Sequence, residues 1–377
     1  MSAIKMGLEG VVAAQTRLSR VNGVVGELII GGFRLEEVAT RASFEEMTYL
    51  LWHDSLPTES ELAKFRGNLA AKRALPDATL ALLEAAAEKG VLPMDALRMA
   101  ASTLSLATNE QADDELTLLA TFPTIVAAYW RFLHGQAAIA PDATLSHAAN
   151  YLYMLTGSPP SAERSRALET YLNTVTEHGL NASTFTARVI ISTQSDMISA
   201  IVGAIGALKG PLHGGAPGPA LDMVFEIGES SRAEAYLRAK LERGERLMGF
   251  GHRVYKVYDP RARVLSHAAE QLYQADGDME LYDLAGHVEQ TAVRLLNEYK
   301  PGRNLQTNVE FYTALLLHGL DLPTTLFSPT FAIGRVAGWI AHCLEQLATG
   351  RLIRPKAAYV GDIGREWGPL DARVAPE

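Results

Sequence analysis

Cysteine is nearly absent. A single residue, Cys343, occurs in 377, which excludes an intramolecular disulfide and any zinc site built on cysteine pairs. Long apolar runs are missing too. None reaches the roughly 18 residues of a membrane span, and the nearest, Ile198 to Leu208, is short and interrupted by Gly and Ala. The opening "MSAIKMGLEG" has neither the layout of a signal peptide nor the arginines of a transit peptide. These absences together predict a cytoplasmic protein with no membrane partner. Positive charge is the minority sign, with 34 Lys and Arg against 43 Asp and Glu and a formal net charge of −9. Nucleic-acid binding needs a basic face to meet phosphates, so no nucleic-acid partner is expected, and local cation clusters are left to serve small anions. Alternating strand patterns are scarce, and there is no fixed-period repeat or low-complexity tract.

What is present is helical periodicity. "SFEEMTYLLWHD" opens with a capping box from Ser43 to Glu46, and "TESELAKFRGNLAAKRAL" with another from Thr58 to Glu61. "DDELTLLATFPTIVAAYWRFL", "SHAANYLYMLTG", "RALETYLNTVTEHG" and "RAEAYLRAKLERG" keep apolar residues three and four apart. Only "VNGVVGELIIGGF", Val21 to Phe33, reads as a short β-hairpin. The fold class is therefore all-α. Ser195 to Leu208 carries small residues on every side, which predicts a helix closely packed in a core or a subunit interface. The strongest composition break follows in "GPLHGGAPGPA", and a second lies in "HGLDLPTTLFSPTFA", where the helical pattern stops and restarts around Pro323 and Pro329. Between them lies a small domain, 216–326, inserted into a larger one made of 1–215 and the return segment 327–377.

Three histidines stand beside glycines at the ends of helical segments: His178 in "EHGLNAST", His213 in "PLHGGA" and His252 in "GFGHRVYK". Any one of them alone reads as a capping or core residue. Three near both breaks point to an acid–base or polarising role. No His-x-His or His-x-x-x-His pair exists to hold a metal. Residues 247–263 hold four cations, Arg253, Lys256, Arg261 and Arg263, against one anion, Asp259. Asp259-Pro260 reads as a helix start, with Asp as cap. That sets Arg261 at a helix N-terminus, where anions are favoured, while Arg263 fits a solvated face. Arg335 is the one formally charged residue from Leu322 to Leu344. A guanidinium there either pairs with a distant carboxylate or takes an anionic ligand in a bidentate fork.

"HGLNASTFTAR", "LKGPLHGGA", "GFGHRVYKVYDPRA", "NVEFYTALLLHGL", "FAIGRVAGWIAHCLEQ" and "RLIRPKAAYVG" resemble, in order, the motifs of citrate synthases. "GLEGVV" and "GELIIGGF" extend the likeness over almost the whole chain, which is similar to the short bacterial and archaeal form. The resemblance implies a homodimer of helical subunits, each with two domains that close over acetyl-CoA and oxaloacetate, and no cofactor beyond the coenzyme A thioester. It implies that His213 bonds the thioester oxygen and that His252 polarises the oxaloacetate ketone. His178, Arg261 and Arg335 match the carboxylate-binding groups, and Arg354 matches an arginine that reaches the neighbouring subunit's site. Leu247, Gly249, Gly251 and Asn308 match backbone positions beside coenzyme A, with Lys256 as a phosphate contact.

One motif departs from the pattern. Glu310 in "NVEFYTA" stands where the family carries its aspartate base. The carboxylate is kept but is one methylene longer, and a displacement of about 1 Å at a reacting group can reduce rate on the order of 100-fold. An active enzyme using Glu310 is the reading carried forward. Its alternatives are 2-methylcitrate synthesis from propionyl-CoA and a non-catalytic protein that binds coenzyme A or a dicarboxylate.

Overall fold

The computed structural model describes residues 5–106, 114–213, 218–252, 254–367 and 369–370. Three strands form one small antiparallel sheet: β1 (Ser19–Asn22), β2 (Glu27–Ile30) and β3 (Phe33–Arg34). Ser19 lies opposite Ile30 and Ile30 opposite Phe33, so the expected hairpin gains a two-residue third strand. Sixteen α-helices make up most of the rest of the described chain. The first eight are α1 (Leu35–Val38), α2 (Phe44–His53), α3 (Glu59–Ala71), α4 (Asp77–Glu88), α5 (Pro93–Ser102), α6 (Asp114–Leu133), α7 (His147–Thr156) and α8 (Ala162–Val175). There follow α9 (Ala182–Ile191), α10 (Met197–Leu208), α11 (Gly218–Ile227), α12 (Ala233–Glu242), α13 (Pro260–Asp276), α14 (Glu280–Tyr299), α15 (Val309–Gly319) and α16 (Phe327–Thr349).

Local hydrogen bonds account for the helix starts. Both capping boxes form, Ser43 with Glu46 ahead of α2 and Thr58 with Glu61 ahead of α3, each satisfying backbone N–H groups that a helix start leaves open. Asp259 caps α13 with Pro260 at its first position. The helical pattern does stop and restart around Pro323 and Pro329: α15 ends at Gly319, and α16 begins at Phe327 and takes Pro329 into its first turn, where its lost N–H would have had no helical partner. One expectation needs correction: α6 is long and apolar enough, by length and composition, to cross a membrane, yet most of it is buried within the protein. Pro123 sits inside that helix without ending it.

The largest apolar cluster runs without a break from Phe44 on α2 to Cys343 on α16. A smaller one under the sheet joins Leu28 and Ile30 to Val264 and Ala341. Two close approaches place the functional loops. At Gly338 on α16 a Cβ would meet the Thr176 carbonyl oxygen at 2.1 Å, so only glycine lets the chain just after α8 lie against α16. At Gly23, in the β1–β2 turn, a Cβ would meet the Val254 carbonyl oxygen at 2.1 Å, and the Lys256 N–H donates to the Gly23 carbonyl at 2.8 Å. The hairpin is thus docked on the loop that carries His252.

Candidate active site

Residues 247–259 are held by the strand-like segment just before α15. Phe250 bridges to Thr307, and the Gly251 N–H donates to the Gln306 carbonyl at 2.7 Å. Asn308 secures the other side: its N–H donates to the Gly249 carbonyl at 2.9 Å and its Nδ2 to the Gly251 carbonyl at 2.8 Å. Its Oδ1 meanwhile caps α15 by accepting the Glu310 N–H at 2.9 Å. Leu247 is buried beneath the loop, whereas Lys256 is exposed. Gly249 and Gly251 have φ of 86° and 82°, which glycine adopts without strain. Arg253 lies outside the described residues.

His252 sits where its tautomer is fixed. Its Nδ1 accepts the Val254 and Tyr255 N–H groups at 3.0 and 3.1 Å, so the proton is on Nε2. Nε2 lies 3.3 Å from Arg261 Nη2. Two donors face each other there, an arrangement that an oxygen lodged between them would satisfy. Burial, then the Arg261 charge, pull the His252 pKa down to about 4, so the imidazole is a neutral donor at physiological pH. His178 lies beside it: the two rings are 6.0 Å apart, and His178 Nε2 is 3.1 Å from the Tyr255 hydroxyl. Burial and the Arg261 charge hold His178 well below the usual imidazole range.

His213 has the opposite tautomer. Its Nε2 accepts the Ser183 N–H at 3.2 Å and lies 2.7 Å from Ser183 Oγ, leaving Nδ1 as the N–H donor. Trp339 Nε1 donates to the same Ser183 oxygen at 3.0 Å, so α9 and α16 together set the ring. Burial, then the Arg335 charge, bring His213 to about 4. Residues 214–217, which follow it, lie outside the described residues.

Arg261 is buried and held by Asp259, with Nε on Oδ1 at 3.1 Å and Nη2 on Oδ2 at 2.8 Å. Asp259 Oδ2 also accepts the Val309 N–H at 3.3 Å, tying the start of α13 to the start of α15. On that second helix Glu310 is half-buried, and among the described residues its carboxylate forms no ion pair within 4 Å. Burial raises its pKa, with the Arg261 charge drawing it partly back. Arg335 is buried, donates from Nε to the Val175 carbonyl at 2.5 Å and stands over the Phe331 ring at 4.6 Å. Its charge acts on both His178 and His213.

Six expected residues, His178, His213, His252, Arg261, Glu310 and Arg335, therefore share one electrostatic neighbourhood, and Asn308 and the glycines shape its wall. Arg354 stands apart on the exposed segment after α16. Asp259 was expected as a cap and is also the counter-ion of Arg261. Ser183, Trp339 and Tyr255 were not singled out from sequence. Ser183 and Tyr255 lie inside quoted motifs, but a polar residue in a helix start or loop carries no local mark of the ring it will hold. Among the described residues no group of three His, Cys, Asp or Glu side chains could hold a metal ion.

Comparison with known proteins adds the family. The family model "Citrate synthase, C-terminal domain" matches residues 7–356. The citrate synthase of Haloferax volcanii is 42% identical, covering 98% of this chain and 99% of its own. The 2-methylcitrate synthase of Shewanella oneidensis is 38% identical, covering 97% of each. Among solved structures, the ternary complex of carboxymethyl coenzyme A and oxaloacetate with the citrate synthase of Thermoplasma acidophilum aligns with a TM-score of 0.87. It is 30% identical over 98% of this chain and 100% of that one. The helical fold, the order of the motifs and these full-length matches lead to one conclusion: the chain belongs to the citrate synthase family and is a transferase of that type.

Proposed function

We propose that the chain condenses acetyl-CoA with oxaloacetate and hydrolyses the resulting citryl-CoA to citrate and free coenzyme A. The observation that carries this reading is the pairing of two neutral imidazole donors, His213 and His252, with one half-buried carboxylate, Glu310, that no cation among the described residues neutralises directly. A methyl group beside a thioester is a very weak acid, so its removal needs a base and a donor together. Glu310 takes the methyl proton while His213 Nδ1–H stabilises charge on the thioester oxygen, an oxyanion-type contribution of roughly 2.7–4 kcal/mol. The new carbon–carbon bond forms at the ketone carbon, and His252 Nε2–H receives the developing alkoxide charge. Water then cleaves the thioester, releasing the thiol and a third carboxylate.

The two oxaloacetate carboxylates fall to His178, Arg261 and Arg335, with Arg354 of the partner subunit completing the set in a homodimer. The segment that carries Arg354 supports that assembly: Tyr359, Val360, Ile363 and Trp367 are 72 to 94% exposed, a run of apolar surface suited to a second copy. Leu247, Gly249, Gly251 and Asn308 line the coenzyme A side, with Lys256 at a phosphate. Closure of the small domain, 216–326, on the rest of the chain shields the enolate from water. The chemistry is acid–base throughout and calls for no metal or resident cofactor, and the site of action is the cytoplasm.

Thiol release, measured with oxaloacetate and either acetyl-CoA or propionyl-CoA, tests the reading. Faster release with acetyl-CoA is expected. Faster release with propionyl-CoA moves the assignment to 2-methylcitrate synthesis, a difference of one methylene worth about 1–3 kcal/mol. Release with neither overturns both and leaves a binding protein.

A further inference from the structure

Glu289 lies on α14, outside the motifs quoted above. Its two carboxylate oxygens are taken by different tyrosines: Oε1 accepts the Tyr258 hydroxyl at 3.0 Å, and Oε2 accepts the Tyr312 hydroxyl at 2.5 Å. Tyr258 immediately precedes Asp259, the residue that caps α13 and grips Arg261. Tyr312 follows Glu310 by two positions, in the first turn of α15. Burial first, and then the Glu289 charge, push both phenols up, so each remains a protonated donor throughout the working range of pH.

We propose that Glu289 is a positioning residue that fixes, through Tyr258 and Tyr312, the placement of Glu310 relative to Arg261. The starts of α13 and α15 already meet at Asp259, which accepts the Val309 N–H at 3.3 Å. Further along, Tyr273 of α13 donates to the Leu315 carbonyl of α15 at 3.1 Å. Glu289 adds an attachment at the first turn of α15, beside Glu310 itself. A displacement of about 1 Å at a reacting group can reduce rate on the order of 100-fold, so the turn that carries Glu310 has to be held in place. This inference rests on the assignment of Glu310 as base. A network of charge-assisted hydrogen bonds holds such a geometry better than separate contacts do.

Glu289 also borders a cleft of about 560 Å³ with Tyr258, Arg294, Asn297 and Gln306. A glutamine there keeps the volume and meets solvent, so Glu289→Gln is expected to fold. It retains one acceptor oxygen and presents an NH2 donor to the other phenol, so one charge-assisted arm becomes a neutral hydrogen bond of reversed direction and the other loses its charge. Because loss on the order of 100-fold accompanies about 1 Å of misplacement, a partial shift should lower kcat by about tenfold. Methyl-proton exchange should fall in parallel, while KM for oxaloacetate, set by Arg261 in the grip of Asp259, changes by less than about threefold. Tyr312→Phe, which removes one oxygen, should reproduce the kcat loss, and combining it with Glu289→Gln should add less than about twofold. If Glu289→Gln fails to fold, Tyr312→Phe alone decides by the same kcat criterion. Wild-type turnover is the reference, so absence of any thiol release by the wild type counts against the proposed function instead. With the wild type active, kcat within about twofold of it in both variants, or losses that multiply in the double variant, overturns the positioning role.

Discussion

Arg335 and Glu177 feel each other's charge without forming an ion pair among the described residues. Glu177 Oε1 is occupied by Ser19 Oγ at 2.8 Å, the Gly179 N–H at 2.6 Å and His342 Nε2 at 3.1 Å. Its Oε2 is buried without a hydrogen-bond partner. Burial pulls the Arg335 pKa down to about 10, and the Glu177 charge opposes the fall, so the guanidinium stays charged at neutral pH while its terminal nitrogens remain available to a ligand. Of the two sequence-level possibilities for Arg335, a paired structural ion and a ligand fork, this arrangement favours the second.

Arg335→Leu should therefore weaken oxaloacetate binding far more than coenzyme A binding. Two lost charge-assisted hydrogen bonds, at about 1.5–3 kcal/mol each, correspond to a loss of at least 100-fold in affinity. The fold should survive, because Arg335 forms no ion pair among the described residues and its charge is itself costly to bury. Calorimetric titration with oxaloacetate and a thermal unfolding scan read the two effects separately. An unfolded variant, or one whose affinity for oxaloacetate persists, would make the arginine a structural element.

His147 offers a test of stability against pH. It stacks on Phe44 at 4.9 Å, its Nε2 is buried without a hydrogen-bond partner, and burial lowers its pKa to about 3. The unfolded chain takes up this proton below about pH 6.5 and the folded chain does not, so stability is lost as pH falls from 6.5 toward 3. Between pH 7 and pH 5 the loss is about 2 kcal/mol for this residue. Denaturant unfolding at the two pH values should show a correspondingly smaller difference in His147→Gln. An unchanged difference would mean that His147 protonates in the folded state.

Much of the fold is legible because its signals are local. The capping boxes at Ser43 and Thr58 and the Asp259-Pro260 start are each written within four residues, and each forms. The helical reading of "DDELTLLATFPTIVAAYWRFL" holds too, straight through Pro123, because tertiary packing outweighs the local loss. The site is legible only in part. Histidines beside glycines stand out in the sequence, but the atoms that set their tautomers do not. The amides that fix His252 are its near neighbours, and nothing in "HRVY" says they turn toward its ring. Ser183 and Trp339, which hold His213, and Glu289, which spans Tyr258 and Tyr312, act across long stretches of chain. Those contacts exist only once the helices have packed.

Arg354 should act in the partner's site. Chains carrying Arg354→Ala or His252→Ala are each expected to be nearly inactive alone. Mixed under conditions that allow subunit exchange, half of the dimers are hybrids, and each hybrid has one site with both residues intact. Recovery of about a quarter of wild-type activity is expected for closed dimers. Demonstrated exchange without recovery would place Arg354 outside any shared site.

Glu310 should be the group that removes the methyl proton, and its environment gives the prediction a sign. Burial raises its pKa, so kcat should fall as pH drops through that raised value, while His213 and His252, both near 4, lose their neutral form only in more acid solution than an ordinary imidazole does. The same shift makes the ionised carboxylate destabilising. A carboxylate whose folded pKa lies above its unfolded one weakens the fold above the folded pKa, and the penalty vanishes below the unfolded one. Glu310→Gln, which keeps size and loses basicity, should therefore be at least as stable as wild type at pH 7 and gain nothing at pH 4. It should still bind both substrates, and proton exchange from a non-condensing acetyl-CoA analogue, measured with oxaloacetate present, should nearly disappear. Exchange at the wild-type rate would show that another group is the base. Glu310→Asp is the sharper comparison. The shorter side chain draws the carboxylate back by more than about 1 Å, and near-attack geometry makes that a loss on the order of 100-fold in kcat if α15 is set for glutamate. An aspartate variant as fast as the wild type would mean that the helix adjusts to either length, and that the reach of residue 310 is not what limits the reaction.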